Sequence, residues 1–238
     1  MTDTTAPRSG RPDRTRALRR WLGVEVDEAN PGELVLSAVG ASLAMGSIYG
    51  ISHHLLGLQG ALMLVASMAA SAVLVFATPH GQLSQPWPVV VGQVSSAVVG
   101  VTCARLIDHR ELAGAVAVGM AIVVMRLLKA RHPPGGATAL IAVVGGTAIT
   151  DLGYRFVLEP VLLNCCILVV IAVVLNLPFR WRTYPAHLGR RDAVEPTDHA
   201  HEQLLEAVRK LDSFVDVTED DLVELRRIFL SQGPPATE

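Results

Sequence analysis

The most chemically distinctive part of the sequence is a proline- and glycine-rich segment, Arg131–Thr138 (RHPPGGAT). Pro133 favours an extended residue before it and so ends a preceding helix, while Pro134 suits the first turn of a following one. The two glycines that come next leave backbone N–H groups uncovered at the N-terminus of that helix, where the helix dipole is positive. This segment therefore predicts a site for a small anion, with the Thr138 hydroxyl as a further donor.

Three side chains in and beside this segment extend the hypothesis. Lys129 and Arg131 would attract an anion electrostatically, and His132 could donate a hydrogen bond to it. The same residues also fit a plain helix–turn–helix whose charges lie in water and bind nothing. Residue types and spacing leave both interpretations open.

A second proline-rich break, Thr78–Pro88 (TPHGQLSQPWP), also carries a histidine and also precedes an apolar helix. If two helices separate the breaks, both loops face the same way, and a parallel pseudo-repeat would bring them together. Gln93 and Ser96, roughly one helical turn apart on the following helix, would then face the same cavity. Ordinary helix–helix hydrogen bonds are the simpler explanation of each of these two residues taken singly.

Motifs for catalysis or for a resident cofactor are missing from the sequence. It contains no HExxH, GxSxG, GxGxxG or ATP-binding loop, so we expect no enzyme, no cofactor and no primary pump within this chain. The three cysteines, Cys103, Cys165 and Cys166, lie in apolar runs without the spacing of a zinc site. His199 and His201 have no third ligand nearby, which favours a solvated helix start over a metal site.

The composition places the middle of the chain in a membrane. Of 238 residues, 50% are hydrophobic and 18% are charged, whereas a soluble domain carries about 25% charged residues. Most charges lie before Leu34 or after Phe179, so the central block cannot present a wetted surface. The net charge of -2 and the lack of a basic stripe argue against a nucleic-acid partner. The partner that this composition predicts is the lipid bilayer.

The apolar block divides into segments of membrane-spanning length. A transmembrane helix needs about 20 mostly apolar residues. The turn between the first two segments is so tight that they must be antiparallel neighbours. The fifth segment is short, so the chain crosses five times if that segment is re-entrant and six times if it crosses. The predicted spans lie near 34–56, 59–77, 89–107, 112–128, 137–150 and 156–179.

Arginine clusters flank the apolar block on both sides and indicate its orientation. Six arginines lie between Arg8 and Arg20, and four lie between Arg180 and Arg191. The positive-inside rule places both clusters in the cytoplasm, which favours six crossings of the cell membrane. A GxxxG spacing from Gly46 to Gly50 fits helix packing within one subunit better than a dimer interface, and leaves a homo-oligomer open.

The predicted fold class is all-α: a polytopic transmembrane helical bundle of about six spans, one of them short, with a small cytoplasmic C-terminal helical hairpin. Apolar stripes and capping residues place the hairpin near 198–231. It is too small for its own core, so it should pack on the membrane domain or on a partner subunit. The regions are a disordered Arg-rich cytoplasmic tail over 1–32, a transmembrane domain over 33–179 and a cytoplasmic tail over 180–238.

Two motifs in this sequence resemble one known family. The string HPPGGATAL, from His132 to Leu140, and the upstream run FATPHGQLSQPWPVVVGQVSSAVVGV are similar to the defining patterns of the HPP family of integral membrane proteins. The resemblance spans about Leu34 to Asn176. It implies a compact helical membrane protein, and it implies a link to nitrite, because plant and cyanobacterial relatives are regarded as nitrite transporters.

The motif positions and the physical arguments together define the candidate substrate-binding residues. From them we expect transport of a small inorganic anion, with nitrite the first candidate, by a channel or secondary transporter. The rival hypothesis is a membrane-anchored scaffold or sensor that recruits a partner through the C-terminal hairpin. The candidate residues are His132, Pro133, Pro134, Gly135, Gly136, Ala137, Thr138, Ser84, Gln85, Gln93 and Ser96.

Overall fold

The computed structural model describes Leu22, residues 30–179 and residues 182–189, and the regular structure within them is helical. The chain divides into two units, Met1–Val35 and Leu36–Glu238. The candidate residues all belong to the second unit. The hairpin predicted near 198–231 and nearly all of the predicted N-terminal tail lie outside the described residues.

Six α-helices are described, in the order of the chain. They are accompanied by a 3-10 turn at Gln82–Ser84, a π-helical segment at Val157–Leu162 and a second 3-10 turn at Ala186–Gly189. The helices are α1 (Pro31–Ala77), α2 (Pro86–Leu106), α3 (Arg110–Leu127), α4 (Pro134–Val144), α5 (Thr147–Thr150) and α6 (Leu163–Asn176).

Helix α1 is bent into a hairpin at Gly57. Its 47 residues are interrupted there by φ 68 and ψ -177, a backbone conformation that glycine adopts without a Cβ clash. The Ser37 hydroxyl donates a hydrogen bond to the Phe76 carbonyl oxygen at 2.7 Å, so the two halves run antiparallel. This is the arrangement expected from the short connection between the first two predicted spans.

Contacts between helix ends show how often the chain passes through the bundle. At one end, the loop end, both proline-rich loops lie together, and Arg182 beyond α6 donates a hydrogen bond to the Ser37 hydroxyl at 2.9 Å. At the opposite end, the far end, Gly153 beyond α5 lies against the Arg105 side chain of α2. Within the described residues, the main chain from Ser37 to Arg182 therefore passes between the two ends six times, and both of these residues lie at the loop end.

Among the described residues, three helical stretches are long and apolar enough to cross a membrane: Pro31–Ala77, Pro86–Leu106 and Val157–Asn176. The third begins with π-helical turns around Pro160, because proline removes a hydrogen-bond donor from the helix interior. α3 has 18 residues and carries charged residues in its first and last turns. The all-α membrane fold expected from the sequence is confirmed.

The fifth pass is irregular. α4 has 11 residues, which is about 16 Å of helix and roughly half of a hydrocarbon core about 30 Å thick. Gly146 follows with φ 76, in the left-handed region, and precedes the 4 residues of α5. The single helix predicted over 137–150 is therefore wrong. Gly145 and Gly146 divide it, and the helical stretch begins earlier, at Pro134.

Close backbone approach around α2 positions the candidate site. α2 packs against α3, α4 and α6. A Cβ at Gly92 would lie 2.7 Å from the carbonyl oxygen of Ala130, and a Cβ at Gly100 would overlap the carbonyl oxygen of Ala139. Such contacts require small residues, as is usual between helices in membranes. They bring the second loop and α4 directly onto α2.

Candidate functional site

The two proline-rich loops meet at the loop end, as the sequence predicted. Nδ1 of His132 in the second loop lies 2.9 Å from the carbonyl oxygen of Leu83 in the first. The Trp87 indole N–H also donates a hydrogen bond to the Leu128 carbonyl oxygen, at 3.2 Å. Because a carbonyl oxygen only accepts, we assign the imidazole proton to Nδ1, and Nε2 of the neutral ring is then an acceptor.

The other nitrogen of His132 starts a chain of buried hydrogen bonds. Nε2 lies 2.8 Å from the Ser71 hydroxyl, which donates to it in this tautomer. The side-chain amide of Gln93 donates to the Ser71 oxygen at 2.8 Å and to the Ser67 hydroxyl oxygen at 3.3 Å. Three helical or loop segments of the chain are joined in this way.

Thr138 on α4 closes the chain of hydrogen bonds. Its hydroxyl donates a short hydrogen bond to the Gln93 amide oxygen and lies 2.6 Å from the Ser67 hydroxyl. Ser67 in turn donates to the carbonyl oxygen of Pro134 at 2.8 Å. We call the five linked side chains the polar network: Ser67 and Ser71 on α1, Gln93 on α2, His132 in the second loop and Thr138 on α4.

The polar network is sealed from solvent. Ser67 is 1% exposed and the other four residues are 0% exposed. Burial lowers the pKa of His132 from its ordinary 6.5 to about 4, and the hydrogen bond to Leu83 opposes that shift only in part. His132 is therefore neutral at physiological pH, which excludes a fixed positive charge there, and its one N–H donates to the Leu83 carbonyl oxygen.

The backbone donors expected at the start of α4 are already used. The Gly135 N–H donates to the His132 carbonyl oxygen at 2.9 Å, and the Gly136 N–H donates to the Pro133 carbonyl oxygen at 3.0 Å. The prediction of uncovered N–H groups at these two glycines is therefore wrong. Pro133 adopts helical angles, φ -51 and ψ -37, so the turn before α4 satisfies its own donors.

The motif residues around the network have different surroundings. Pro134 is buried beneath the network, whereas Pro133 and Ala137 are exposed. Gly136 is half-buried with open space around it, and the nearest atom to a Cβ there belongs to Val118, 3.9 Å away. Of the predicted run from His132 to Thr138, the structure brings only the two terminal side chains into the network.

Gly135 and Ser96 form a tight contact beside the network. A Cβ at Gly135 would lie 2.7 Å from the Ser96 hydroxyl oxygen and 3.0 Å from the Gly92 carbonyl oxygen. Ser96 is 0% exposed, and its hydroxyl has no hydrogen-bond partner among the described residues. Ser96 therefore adjoins the network without joining it, whereas Gln93 lies at its centre.

Ser84 and Gln85 have a different role from the one predicted. The Ser84 hydroxyl donates to the Leu74 carbonyl oxygen at 2.9 Å. The Tyr184 hydroxyl donates to the Ser84 carbonyl oxygen at 2.8 Å, and the Ala186 N–H donates to the Gln85 side-chain oxygen at 3.0 Å. These two motif residues anchor the chain that follows α6, and their side chains lie outside the polar network.

Two members of the network were missed in the sequence. Ser67 and Ser71 are four residues apart, so they share one face of the second half of α1. Hydroxyl pairs at this spacing within an apolar helix are a signal for helix–helix hydrogen bonding. The basic residues Lys129 and Arg131, by contrast, are exposed at the loop end, beside the loop that carries His132.

Comparisons with known proteins agree with this architecture. A transmembrane protein of Dictyostelium discoideum is 34% identical over 179 residues, which cover 71% of this chain and 62% of that protein. A second transmembrane protein of the same organism is 34% identical over 178 residues, covering 71% of this chain and 56% of its own length. The chain thus spans less than two thirds of both relatives. No solved structure matches it.

The family comparison covers the same part of the chain. The pattern described as "HPP, transmembrane region" matches residues 26–185. That range includes every residue of the polar network and the segment around Tyr184 that anchors to the first loop. The chain belongs to the HPP family of transmembrane proteins.

Proposed function

We propose that this protein moves a small inorganic anion, with nitrite the first candidate, across the bilayer by way of the polar network. Membership of a family of transmembrane proteins is consistent with membrane transport in general. The observation that carries the proposal is the network itself: five hydrogen-bonded polar side chains, almost fully buried, inside an apolar helical bundle.

The energetic cost of such a cluster supports a functional role. A hydroxyl or amide group moved into an apolar environment costs several kcal/mol unless it is hydrogen-bonded. Apolar residues of similar volume would hold these helices together without that requirement. Polar side chains retained inside a membrane bundle typically mark the path of a solute or ion.

The chemistry of the network suits a small anion. It offers three hydroxyl donors and the amide donors of Gln93, and none of its five side chains is a carboxylate that would repel negative charge. Hydrogen bonds to an anion are stronger than those between neutral groups, so an anion can displace the internal partners. Neutral His132 keeps binding weak enough for release, as conduction requires.

The observed arrangement is a closed one, in which the donors of the network point at each other. A bound anion would take the place of internal bonds such as Thr138 to Gln93 and Gln93 to Ser71. Nitrite has two oxygen atoms and can accept from two such donors at once. Because only a few internal hydrogen bonds would be replaced, the network favours an anion of a few atoms over a larger solute.

We further propose that the loop end faces the cytoplasm and that both termini lie there. Ser37, near the start of α1, and Arg182, beyond α6, are joined by a hydrogen bond at that end. Arg126, Lys129 and Arg131 lie near the same end, and the positive-inside rule places such residues in the cytoplasm. Compartment-sensitive reporters on the two termini should both give the cytoplasmic signal.

The direct test is solute flux through purified protein in liposomes. Nitrite, nitrate, formate and chloride are compared for wild type, Ser71→Ala and the matched variant Ser95→Ala. Ser95 lies on α2 outside the network, where its hydroxyl only reaches the Gly92 carbonyl oxygen at 3.3 Å. We expect Ser71→Ala to reduce anion flux and Ser95→Ala to leave it unchanged, with flux normalised to folded protein. Equal flux in all three proteins would refute the proposed path.

A further inference from the structure

A second candidate site lies at the far end, away from the polar network. Residues at the adjoining ends of α2, α3 and α4, together with residues around α5, line a partly open cavity of about 280 Å³. Two arginines, Arg105 and Arg110, line it together with Asp108 and Thr150. The polar network contains no charged side chain at neutral pH, whereas this cavity, at the other end of the same helices, is lined by charged side chains.

Arg105 is held in position by an aromatic ring. Its guanidinium carbon lies 4.9 Å from the centre of the Tyr154 ring, in a cation–π contact. The Tyr154 hydroxyl lies 3.0 Å from the Thr102 hydroxyl, which ties the ring to the last turns of α2. This contact restrains the guanidinium, so it reduces the freedom that the side chain loses when it binds a ligand.

A glycine leaves the space in which the Arg105 guanidinium lies. Gly153 has φ 52, in the left-handed region, and a Cβ at this position would overlap the Arg105 guanidinium. The guanidinium thus packs against bare backbone, in a place that only glycine leaves open. Arg105 is exposed, and the aromatic ring and the glycine position its guanidinium in the lining of the cavity.

The charge of the cavity favours an anion. The ion pair of Arg155 with Glu159 lies outside the cavity lining. Arg105, Arg110 and Asp108 give the lining two positive charges and one negative charge. The planar fork of a guanidinium matches the oxygen atoms of an oxoanion.

The cavity is aligned with the polar network along two helices. Val101 in its lining follows Gln93 by eight residues on α2, a separation of about 12 Å. Ala142 in its lining follows Thr138 by one turn of α4, about 6 Å. Small side chains, among them Ala97 and Ala139, occupy the space between the two sites.

We propose that this cavity binds a small oxoanion between Arg105 and Arg110. We also propose that it collects the anion for the polar network, and this second part rests on the proposed transport function. Binding at the far end raises the local concentration of the anion next to a network that has only neutral donors. Asp108 opposes the two arginines and keeps the bound anion exchangeable.

Calorimetric titration of the purified full chain with sodium nitrite tests the binding, at constant ionic strength. We expect Arg105→Gln to weaken binding about tenfold, the usual effect of losing one charge-assisted hydrogen bond. Asp108→Asn should strengthen binding roughly twofold to fivefold, because it removes a like charge. Arg155→Gln is the matched control, since it removes one positive charge at the same end but outside the cavity.

The outcomes separate this proposal from the proposed transport function. Equal affinity for Arg105→Gln and Arg155→Gln, or weaker binding for Asp108→Asn, would overturn the anion site. Arg105-dependent binding in a protein without anion flux would contradict transport and support the site. If Arg105→Gln lowers affinity and leaves flux at low nitrite concentration unchanged, the collecting role is wrong.

Discussion

The side chain of His132 joins two loops that lie 49 residues apart in the chain, through its Nδ1 hydrogen bond to the Leu83 carbonyl oxygen at 2.9 Å. This bond assigns the proton to Nδ1 and turns Nε2 toward the Ser71 hydroxyl. The histidine of the HPP motif is therefore the point at which the loop structure and the polar network depend on each other. A change in this residue should affect both.

Protonation of His132 should destabilise the fold at acid pH. Its pKa is about 4 in the folded protein and 6.5 ordinarily, because burial disfavours the charged ring. The free energy of unfolding is therefore unaffected by this histidine above about pH 6.5. It decreases by about 3 kcal/mol as the pH falls from 6.5 to 4. Unfolding measured in detergent should show this decrease in stability for wild type and a smaller decrease for His132→Asn. His80→Asn should show the same decrease as wild type. A wild-type profile in the His132→Asn variant would contradict the assignment.

A negative charge at the centre of the polar network should block anions. Gln93→Glu keeps the shape of the side chain but replaces an amide donor with a carboxylate next to Ser71 and Thr138. We expect nitrite flux in liposomes to fall at least about tenfold, because like charges in a poorly solvated site repel strongly. Gln82→Glu introduces the same charge in the first loop and should retain flux. Comparable flux in both variants would show that the solute is not an anion or does not pass Gln93.

The adjacent glycines of the HPP motif should respond oppositely to the same substitution. Gly135→Ala places a methyl group 2.7 Å from the Ser96 hydroxyl oxygen, so it should cost about 1–3 kcal/mol by overpacking. Gly136→Ala meets open space on a helix and should be neutral or stabilise by up to about 1 kcal/mol. Thermal unfolding of the two variants in detergent measures the difference. Gly136→Ala as the more damaging change would contradict the described packing.

The Tyr184 hydroxyl should stabilise the junction between the end of the bundle and the first loop. It is 2% exposed, and it donates to the Ser84 carbonyl oxygen at 2.8 Å. Tyr184→Phe leaves that carbonyl oxygen without this donor and should cost about 1 kcal/mol. Tyr49→Phe, on an exposed part of α1, is the matched control and should change the unfolding temperature little. Equal effects of the two substitutions would argue against this anchoring contact.

Truncation after Arg191 distinguishes transport from the scaffold hypothesis. The shortened chain keeps the anchoring residues Tyr184 and Ala186, together with the whole polar network. If the protein is a transporter, liposomes containing this chain should pass nitrite at the wild-type rate. If neither the full-length nor the shortened chain passes nitrite while both fold, transport is contradicted and the scaffold hypothesis is favoured.

The positions of the helices follow from local properties of the sequence. Apolar runs determine where α1, α2 and α6 begin and end. These runs are about 20 residues long, which is the length that a bilayer-spanning helix needs, and prolines and charged turns interrupt them, since proline ends a helix. The same local pattern located His132 and Thr138 as candidate residues. It failed at 137–150, where two glycines break a run that hydropathy alone cannot divide.

The partners of each polar group were decided by the tertiary structure. Uncovered donors were expected at Gly135 and Gly136, but the turn before α4 uses them internally. Ser67 and Ser71 belong to the site because the bend at Gly57 places the second half of α1 beside α2. A hydrogen bond between distant segments depends on how helices pack in three dimensions, and spacing along the chain determines only which face of a helix a side chain occupies.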